Sequence, residues 1–219
     1  MTLLVHSIPG SPFGRAVLAA LIHKNADFGL VPVAPSQLKV EPYVKLHPMG
    51  RVPVLEHDGF TLYETQAILR YLDRLLPEPA LTPTDVRAAA RMDQVMNIAD
   101  WYLFQGCNNV IGFQRIIGPR LMGLEPDIAV IEAAMPRAIL LFAELSRLLG
   151  DQPWFAGDTL TLADLMVAPH VDFLAMTPEW ARLIEGRGNI VAWLDRMQAL
   201  PCMQGTTWPR VTEMAQEAA

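Results

Sequence analysis

The sequence predicts an α/β domain followed by an all-α domain, and three observations carry that expectation. Over residues 1–76, short β-rich runs alternate with helical patterns, the arrangement that βαβ units leave in a sequence. Pro77, Pro79 and Pro83 then punctuate residues 77–83 as a linker. From residue 84 to 219 the apolar residues recur at helical spacing.

Each N-terminal element has its own signal. Leu3–His6 reads as a strand, Pro9-Gly10 breaks the chain, and Arg15 to about Lys24 forms a helical run rich in Ala, Val and Leu. Phe28–Val33 returns as a strand whose end Pro32 weakens, and Pro35, Pro42 and Pro48 leave residues 34–50 as loop with one short helix near Tyr43–Leu46. Val52–Glu56 and Phe60–Leu62 flank Asp58-Gly59, a dipeptide suited to a tight hairpin turn. A helix from Glu64 to about Leu75 completes the order β-α-β-α-β-β-α. Beyond the linker, Thr84 or Asp85 caps a helix whose core stripe is Val86, Ala89, Met92, Val95, Met96 and Ala99. A second long helix runs from Asp127 to Leu149 with Pro136 inside it, and shorter ones span about Leu162–Ala175 and Asn189–Leu200.

Composition narrows the function. The 219 residues are 52% hydrophobic and 18% charged with a net charge of −6, a globular composition rather than a disordered one. Residues 1–76 carry seven basic and six acidic side chains, residues 77–219 ten and seventeen, so neither part offers the clustered basic face that nucleic acid requires. The longest stretches free of Asp, Glu, Lys and Arg, Met1–Gly14 and Trp101–Gln114, span 14 residues each. A membrane helix needs about 18–20. The start lacks a basic region and a small-residue cleavage site, so the cytoplasm is the expected compartment. Cys107 and Cys202 are too far apart in sequence for a zinc or redox motif and read as small buried hydrophobes. No ligand cluster or phosphate loop implies a metal or nucleotide cofactor.

Three local features carry chemistry. Ser11, followed by Pro12, stands where a strand meets a helix; taken alone it reads as an ordinary N-cap, and the same geometry suits a hydroxyl that helps a helix N-terminus hold an anion. In Arg51-Val52-Pro53-Val54-Leu55, Pro53 opens an apolar strand; a cis Val52–Pro53 bond would turn the Val52 backbone outward to pair with a peptide. Glu64-Thr65 ends a strand and opens a helix, which caps that helix or receives the ammonium and carboxylate of an amino acid.

Together these segments resemble the glutathione S-transferase family, in its serine-type theta-, phi- or delta-like branches. The resemblance rests on the Gly10-Ser11 start leading to Arg15-Ala16-Val17, on His47-Pro48-Met49-Gly50-Arg51-Val52-Pro53-Val54-Leu55, on Leu62 through Leu72, and on Gly157-Asp158-Thr159-Leu160-Thr161-Leu162-Ala163-Asp164 in the helical half. It covers nearly the whole chain. It implies a thioredoxin-like N-terminal domain that binds glutathione as co-substrate and a helical domain that shapes the pocket for a small, partly apolar electrophile. Ser11 would donate its O–H to the glutathione sulfur, Val52 would pair with the cysteinyl backbone after a cis Pro53, and Glu64 and Thr65 would hold the γ-glutamyl end. Lys39 and Arg51 would contact the glycine carboxylate. Phe13, Trp101, Tyr102, Gln105, Asn108, Phe113 and Trp208 are candidates for the electrophile pocket. Thr161 and Asp164 form a structural capping box. A homodimer is implied as well.

Some residues depart from the family pattern. Ser11 in place of cysteine argues against a covalent thiol–disulfide step on the protein. Ser11-Pro12-Phe13 differs from the Ser-Ser-Cys of the isomerase branch, and Gln66 and Thr65 stand where arginine and serine are commoner. Two alternatives stay open at this level: a binding module of the same fold without turnover, and a glutathione-dependent disulfide reductase.

Overall fold

The computed structural model describes residues 2–218. In chain order the elements are β1 (Leu3–Ser7), α1 (Pro12–His23), β2 (Gly29–Pro32), a short 3-10 turn (Pro35–Gln37), α2 (Tyr43–Leu46), β3 (Val54–His57), β4 (Phe60–Tyr63) and α3 (Thr65–Leu75). Then follow α4 (Val86–Ile98), a π-type helix (Ala99–Ile117), α5 (Gly118–Met122), α6 (Ile128–Leu149), α7 (Leu162–Ala175), α8 (Trp180–Leu183), α9 (Gly188–Gln198), α10 (Pro201–Gln204) and α11 (Trp208–Glu217). The predicted β-α-β-α-β-β-α order and thioredoxin-like fold are present.

The four strands form one sheet in the order β2-β1-β3-β4, with β1 parallel to β2 and antiparallel to β3, and β3 antiparallel to β4. Alternation along the strands sends Leu3, Val5 and Leu55 to one buried face. There α1 packs on β1 and α3 on β4, and the two helices pack on each other. The opposite face carries a second cluster of Val33, Tyr43 and Val54, flanked by Ile8, Leu38, Leu46, Val52 and Tyr63. The Asp58-Gly59 turn has left-handed φ values of 47° and 87°, as its sequence predicts.

The proline-rich segment is anchored by a buried ion pair. Lys24 at the end of α1 places its Nζ 2.7 Å from Asp73 Oδ1 and donates to the carbonyls of Leu76 and Pro79. Asp73 in turn accepts from the Leu81 N–H at 3.0 Å. A buried charge pair is tolerable when its remaining donors and acceptors are satisfied in this way. Contacts group residues up to Leu81 with those from Gln198 onward as one compact unit, and Thr82–Met197 as the other. This grouping differs from a single helical domain over 84–219. The tail returns to the first unit because Arg15 Nη2 donates to the Met203 carbonyl, and because the Trp208 ring lies against Gly10.

The second unit is all helical. Asp85 caps α4 by accepting from the N–H groups of Arg87 and Ala88. Burial on α4 begins at Met92, whereas Val86, expected in the core stripe, is 77% exposed. The π-type helix that continues α4 explains why the run Trp101–Gln114 has no clean α-helical stripe. Its buried residues are Ala99, Leu103, Cys107, Asn108, Ile111 and Gly112, spaced in steps of four, which a wider helix keeps on one side. α6 continues through Pro136, held by a buried stripe that includes Ile131, Met135, Ala138, Phe142 and Leu145. Burial pushes the Cys107 thiol up to about 12, in keeping with its inert, apolar reading.

Asp164 organises the start of α7. Fully buried, it accepts from the Phe155 N–H at 2.9 Å, the Thr161 N–H at 3.0 Å, the Thr161 hydroxyl at 2.8 Å and the Trp193 indole N–H at 2.9 Å. The predicted capping box is therefore one part of a four-donor hub.

Asp164→Ala strips the acceptor from three buried N–H groups and is expected to lower unfolding free energy by about 3–5 kcal/mol in a denaturant titration. Gly10→Ala is expected to destabilise by about 1–3 kcal/mol, because φ is strained and the new Cβ collides with an aromatic ring. That Cβ would lie 2.6–2.8 Å from three Trp208 ring atoms, at a φ of +88°. An unchanged melting curve and unchanged tryptophan emission would contradict this packing.

Candidate active site

Strand register decides where the three chemical segments meet. His6 on β1 pairs with Val54 on β3, and Val54 pairs with Tyr63 on β4, so these residues form one row across the sheet. The chain leaves β1 just beyond that row toward Ser11, enters β3 from Val52-Pro53, and leaves β4 into Glu64-Thr65. All three segments thus lie at one end of the sheet.

Ser11 is the N-cap of α1, with extended backbone angles of −69° and 119° and Pro12 behind it. Its Oγ accepts from the Gly14 N–H at 3.2 Å, and its own N–H donates to the Ile8 carbonyl at 3.0 Å. The hydroxyl is half-buried and keeps a proton to donate. No acidic side chain lies in the first turn of α1 to cancel its positive dipole end.

The Val52–Pro53 bond is cis, and ladder pairing of β3 begins only at Val54. The preceding loop is held from below: the buried Tyr43 hydroxyl donates to the Arg51 carbonyl at 2.6 Å. Burial pushes that phenol up to about 12, so it stays a donor across the physiological range. Gly50 has a φ of +60°, and a Cβ there would stand 2.5 Å from the Leu38 carbonyl oxygen. The same close approach brings the Lys39 side chain beside Gly50, next to Arg51. Both Lys39 and Arg51 are exposed.

Glu64 sits at the N-cap of α3 with a left-handed φ of 72° and no capping hydrogen bond from its side chain. Such a conformation in a non-glycine residue costs about 1–3 kcal/mol and clusters at functional sites. The ordinary capping role is therefore absent, and the carboxylate is exposed beside the first turn of α3, where Thr65 is buried. His47 stacks on Tyr63 with ring centroids 4.6 Å apart. Burial lowers its pKa, Glu64 opposes that shift and Arg51 adds to it, which places both charges in the field of one imidazole.

The pocket candidates divide. Phe13 lies on the first turn of α1, and Trp208 covers Gly10, the residue before Ser11. Asn108 differs from its expected place at the pocket: it is 4% exposed and its Nδ2 donates to the His170 carbonyl at 3.0 Å, so it serves helix packing. Trp101 and Tyr102 line a surface groove together with Ile98 and Leu141, Gln105 is exposed, and Phe113 is half-buried. The histidines have structural places. His6 pairs with Glu56, His57 with Tyr71, and buried His170 lies beside Phe104 with its pKa pushed down to about 3 by desolvation. Among the described residues no group of three or more His, Cys, Asp or Glu is arranged to hold a metal. Likewise, no helix is long and apolar enough to cross a membrane.

Sequence reasoning did not single out Tyr43 as a support for the site, because it carried only a short-helix signal.

Comparison with known proteins identifies the family. A family model of the glutathione S-transferase N-terminal domain matches residues 5–80, and one of the C-terminal domain matches residues 128–196. The glutathione S-transferase of Hyoscyamus muticus is 30% identical over 220 residues, covering 99% of this chain and 100% of that protein. Glutathione S-transferase hmp2 of Hypomyces subiculosus is 30% identical over 219 residues, covering 97% of this chain and 100% of its own length. Among solved structures, glutathione transferase F7 of Populus trichocarpa superposes with a TM-score of 0.84 at 27% identity, covering 97% of this chain and 99% of that one. On these matches, and on the fold and sheet-end arrangement that accompany them, the chain belongs to the glutathione S-transferase family.

Proposed function

We propose that this glutathione transferase activates its co-substrate at the N-terminus of α1, with Ser11 donating its O–H to the glutathione sulfur and stabilising the thiolate. The observation that carries the reading is the position of Ser11: a helix-capping hydroxyl at the same sheet end as Val52 and Glu64-Thr65. Glutathione presents three groups to such a surface. Its cysteinyl amide pairs with the Val52 backbone as an added strand, its γ-glutamyl ammonium meets the Glu64 carboxylate, and its γ-glutamyl carboxylate meets Thr65 and the α3 N-terminus. Lys39 and Arg51, neighbours beside Gly50, take the glycine carboxylate.

The task has a definite scale. A thiol with a pKa of about 8.5 is only about 3% thiolate at pH 7. One hydrogen bond to a charged group contributes about 1.5–3 kcal/mol, which corresponds to a pKa depression of about one to two units. About a quarter to three quarters of the bound glutathione is then nucleophilic at pH 7. Once formed, the thiolate attacks an electrophile held beside Phe13 and Trp208. The sulfur–carbon bond forms as the leaving group departs with its electron pair, or as the electrons move into an activated double bond that then takes a proton from solvent. No protein cysteine enters the step, in line with the burial of both cysteines.

The dimer belongs to the same proposal. It is supported by large apolar side chains left exposed on the helical unit, Trp101 and Leu140 at 70% each.

Ser11→Ala is expected to lower kcat/KM with a small aromatic halide about 10- to 100-fold while glutathione still binds. In the unchanged enzyme the rate rises with pH through the pKa of the bound thiol and then levels. In the variant that rise moves to higher pH, toward free glutathione. Equal pH profiles would remove Ser11 from the mechanism. Sedimentation is expected to give twice the chain mass at micromolar concentration; a single-chain mass throughout would contradict the dimer.

A further inference from the structure

Tyr43, at the start of α2, is 5% exposed and packs with Val33 and Val54, and Val52 and Tyr63 lie against the same cluster. A phenylalanine ring would fill that place as well. What the tyrosine adds is one hydroxyl, and a buried hydroxyl has to be paired. Its O–H donates to the Arg51 carbonyl at 2.6 Å. Between donor and acceptor the chain is itself tied: the His47 N–H donates to the Tyr43 carbonyl at 3.0 Å, and the Gly50 N–H to the His47 carbonyl at 2.8 Å. The Tyr43 hydroxyl therefore closes a braced loop on one carbonyl oxygen.

That oxygen shares a peptide plane with the Val52 N–H. The cis bonds of the described chain are Glu41–Pro42, Val52–Pro53 and Glu78–Pro79, so the Arg51–Val52 bond is trans. In a trans peptide the C=O and N–H are held in one plane and point in opposite directions. A carbonyl fixed toward the buried Tyr43 thus turns the Val52 N–H the other way, away from Tyr43. Val52 precedes the ladder pairing of β3, which begins at Val54, and among the described residues nothing accepts from its N–H.

We propose that Tyr43 is a positioning residue: its hydroxyl aims the Val52 N–H at the cysteinyl carbonyl of glutathione, and so selects thiols that carry an amide carbonyl after the cysteine. This rests on the pairing of Val52 with glutathione given above. The Arg51–Val52 plane can rotate about its two flanking single bonds without moving either Cα atom, so the direction of the N–H needs a fixed point. The bond from Tyr43 supplies it. Donation into the carbonyl also polarises the amide, which strengthens the N–H as a donor. Tyr43 acts through a backbone plane, so it sets how tightly glutathione is held and leaves the ionisation of the thiol to Ser11. Burial pushes the phenol up to about 12, and the donor therefore persists over the pH range in which the bound thiol ionises.

The test removes the protein hydroxyl and the ligand carbonyl in turn. The unchanged enzyme and Tyr43→Phe are assayed for kcat/KM with glutathione and with γ-glutamylcysteamine, each against a saturating small aromatic halide. The second thiol keeps the γ-glutamyl group and the sulfur but has no cysteinyl carbonyl. The ratio between the two thiols does not depend on the active fraction, so a loss of folded enzyme cannot imitate the effect. Tyr43→Phe is expected to lower kcat/KM for glutathione about threefold to tenfold, through KM, and to leave γ-glutamylcysteamine within about twofold. The bound thiol is expected to titrate as in the unchanged enzyme. Equal losses with both thiols, or no loss with glutathione, overturn the proposal. Amide spectra of the unchanged enzyme, labelled at valine nitrogen, separate this from the reading beneath it. A Val52 amide proton that moves downfield on addition of glutathione upholds the Val52 pairing, so that a failed kinetic test then removes Tyr43 alone. A Val52 amide that does not respond overturns both.

Discussion

The antiparallel pairing of β1 with β3 and of β3 with β4 is the constraint on which the rest of the first unit depends. One row, His6 with Val54 with Tyr63, fixes the end of the sheet at which three chain segments emerge. A slip of one residue would reverse which side chains face α1 and α3 and which face the Tyr43 cluster. It would also move Val52 and Glu64 relative to Ser11. Burial of Val5 and Leu55 on one face, and of Val54 on the other, makes such a slip costly. The apolar core thereby sets the geometry of the polar site.

Around that row, each polar segment is fixed by a contact that leaves its functional atoms available. Ser11 accepts from Gly14 and keeps its proton. The Tyr43 hydroxyl holds the carbonyl of Arg51, directly before Val52. Glu64 takes a left-handed backbone conformation and contributes no cap, so its carboxylate stays exposed at a helix start. These arrangements are individually small in energy. Together they bring a hydroxyl, the chain segment entering β3 at Val52 and a carboxylate beside a helix start to one end of the sheet, the set on which the proposed binding of glutathione rests. The family assignment supports glutathione as the co-substrate, and the geometry is the basis on which we propose where it binds.

Much of this was legible in the sequence because it is encoded locally. Pro12 after Ser11, Asp58-Gly59 between two apolar runs, and Thr161 three residues before Asp164 each state a turn or cap within a few positions, and each is present in the structure. The short helix Tyr43–Leu46 was readable between its flanking prolines. What escaped is non-local. The tail from Gln198 returns to the first unit through an arginine–carbonyl bond and a tryptophan laid on a glycine, and neither has a periodic signal. The π-type winding of Ala99–Ile117 changes the period on which helical stripes are read, which is how Asn108 came to be assigned to a pocket when it packs against α7. Val86 follows the apolar spacing of its helix yet lies outside the covered face, since spacing specifies a stripe but not how far a neighbour extends along it.

The most direct test of the central claim is a crystal structure of the protein with reduced glutathione. The account predicts the sulfur within hydrogen-bonding distance of the Ser11 Oγ, the cysteinyl backbone paired with Val52, and the γ-glutamyl group against Glu64 and Thr65. Glutathione bound with its sulfur away from the α1 N-terminus, or at another face of the sheet, would contradict it.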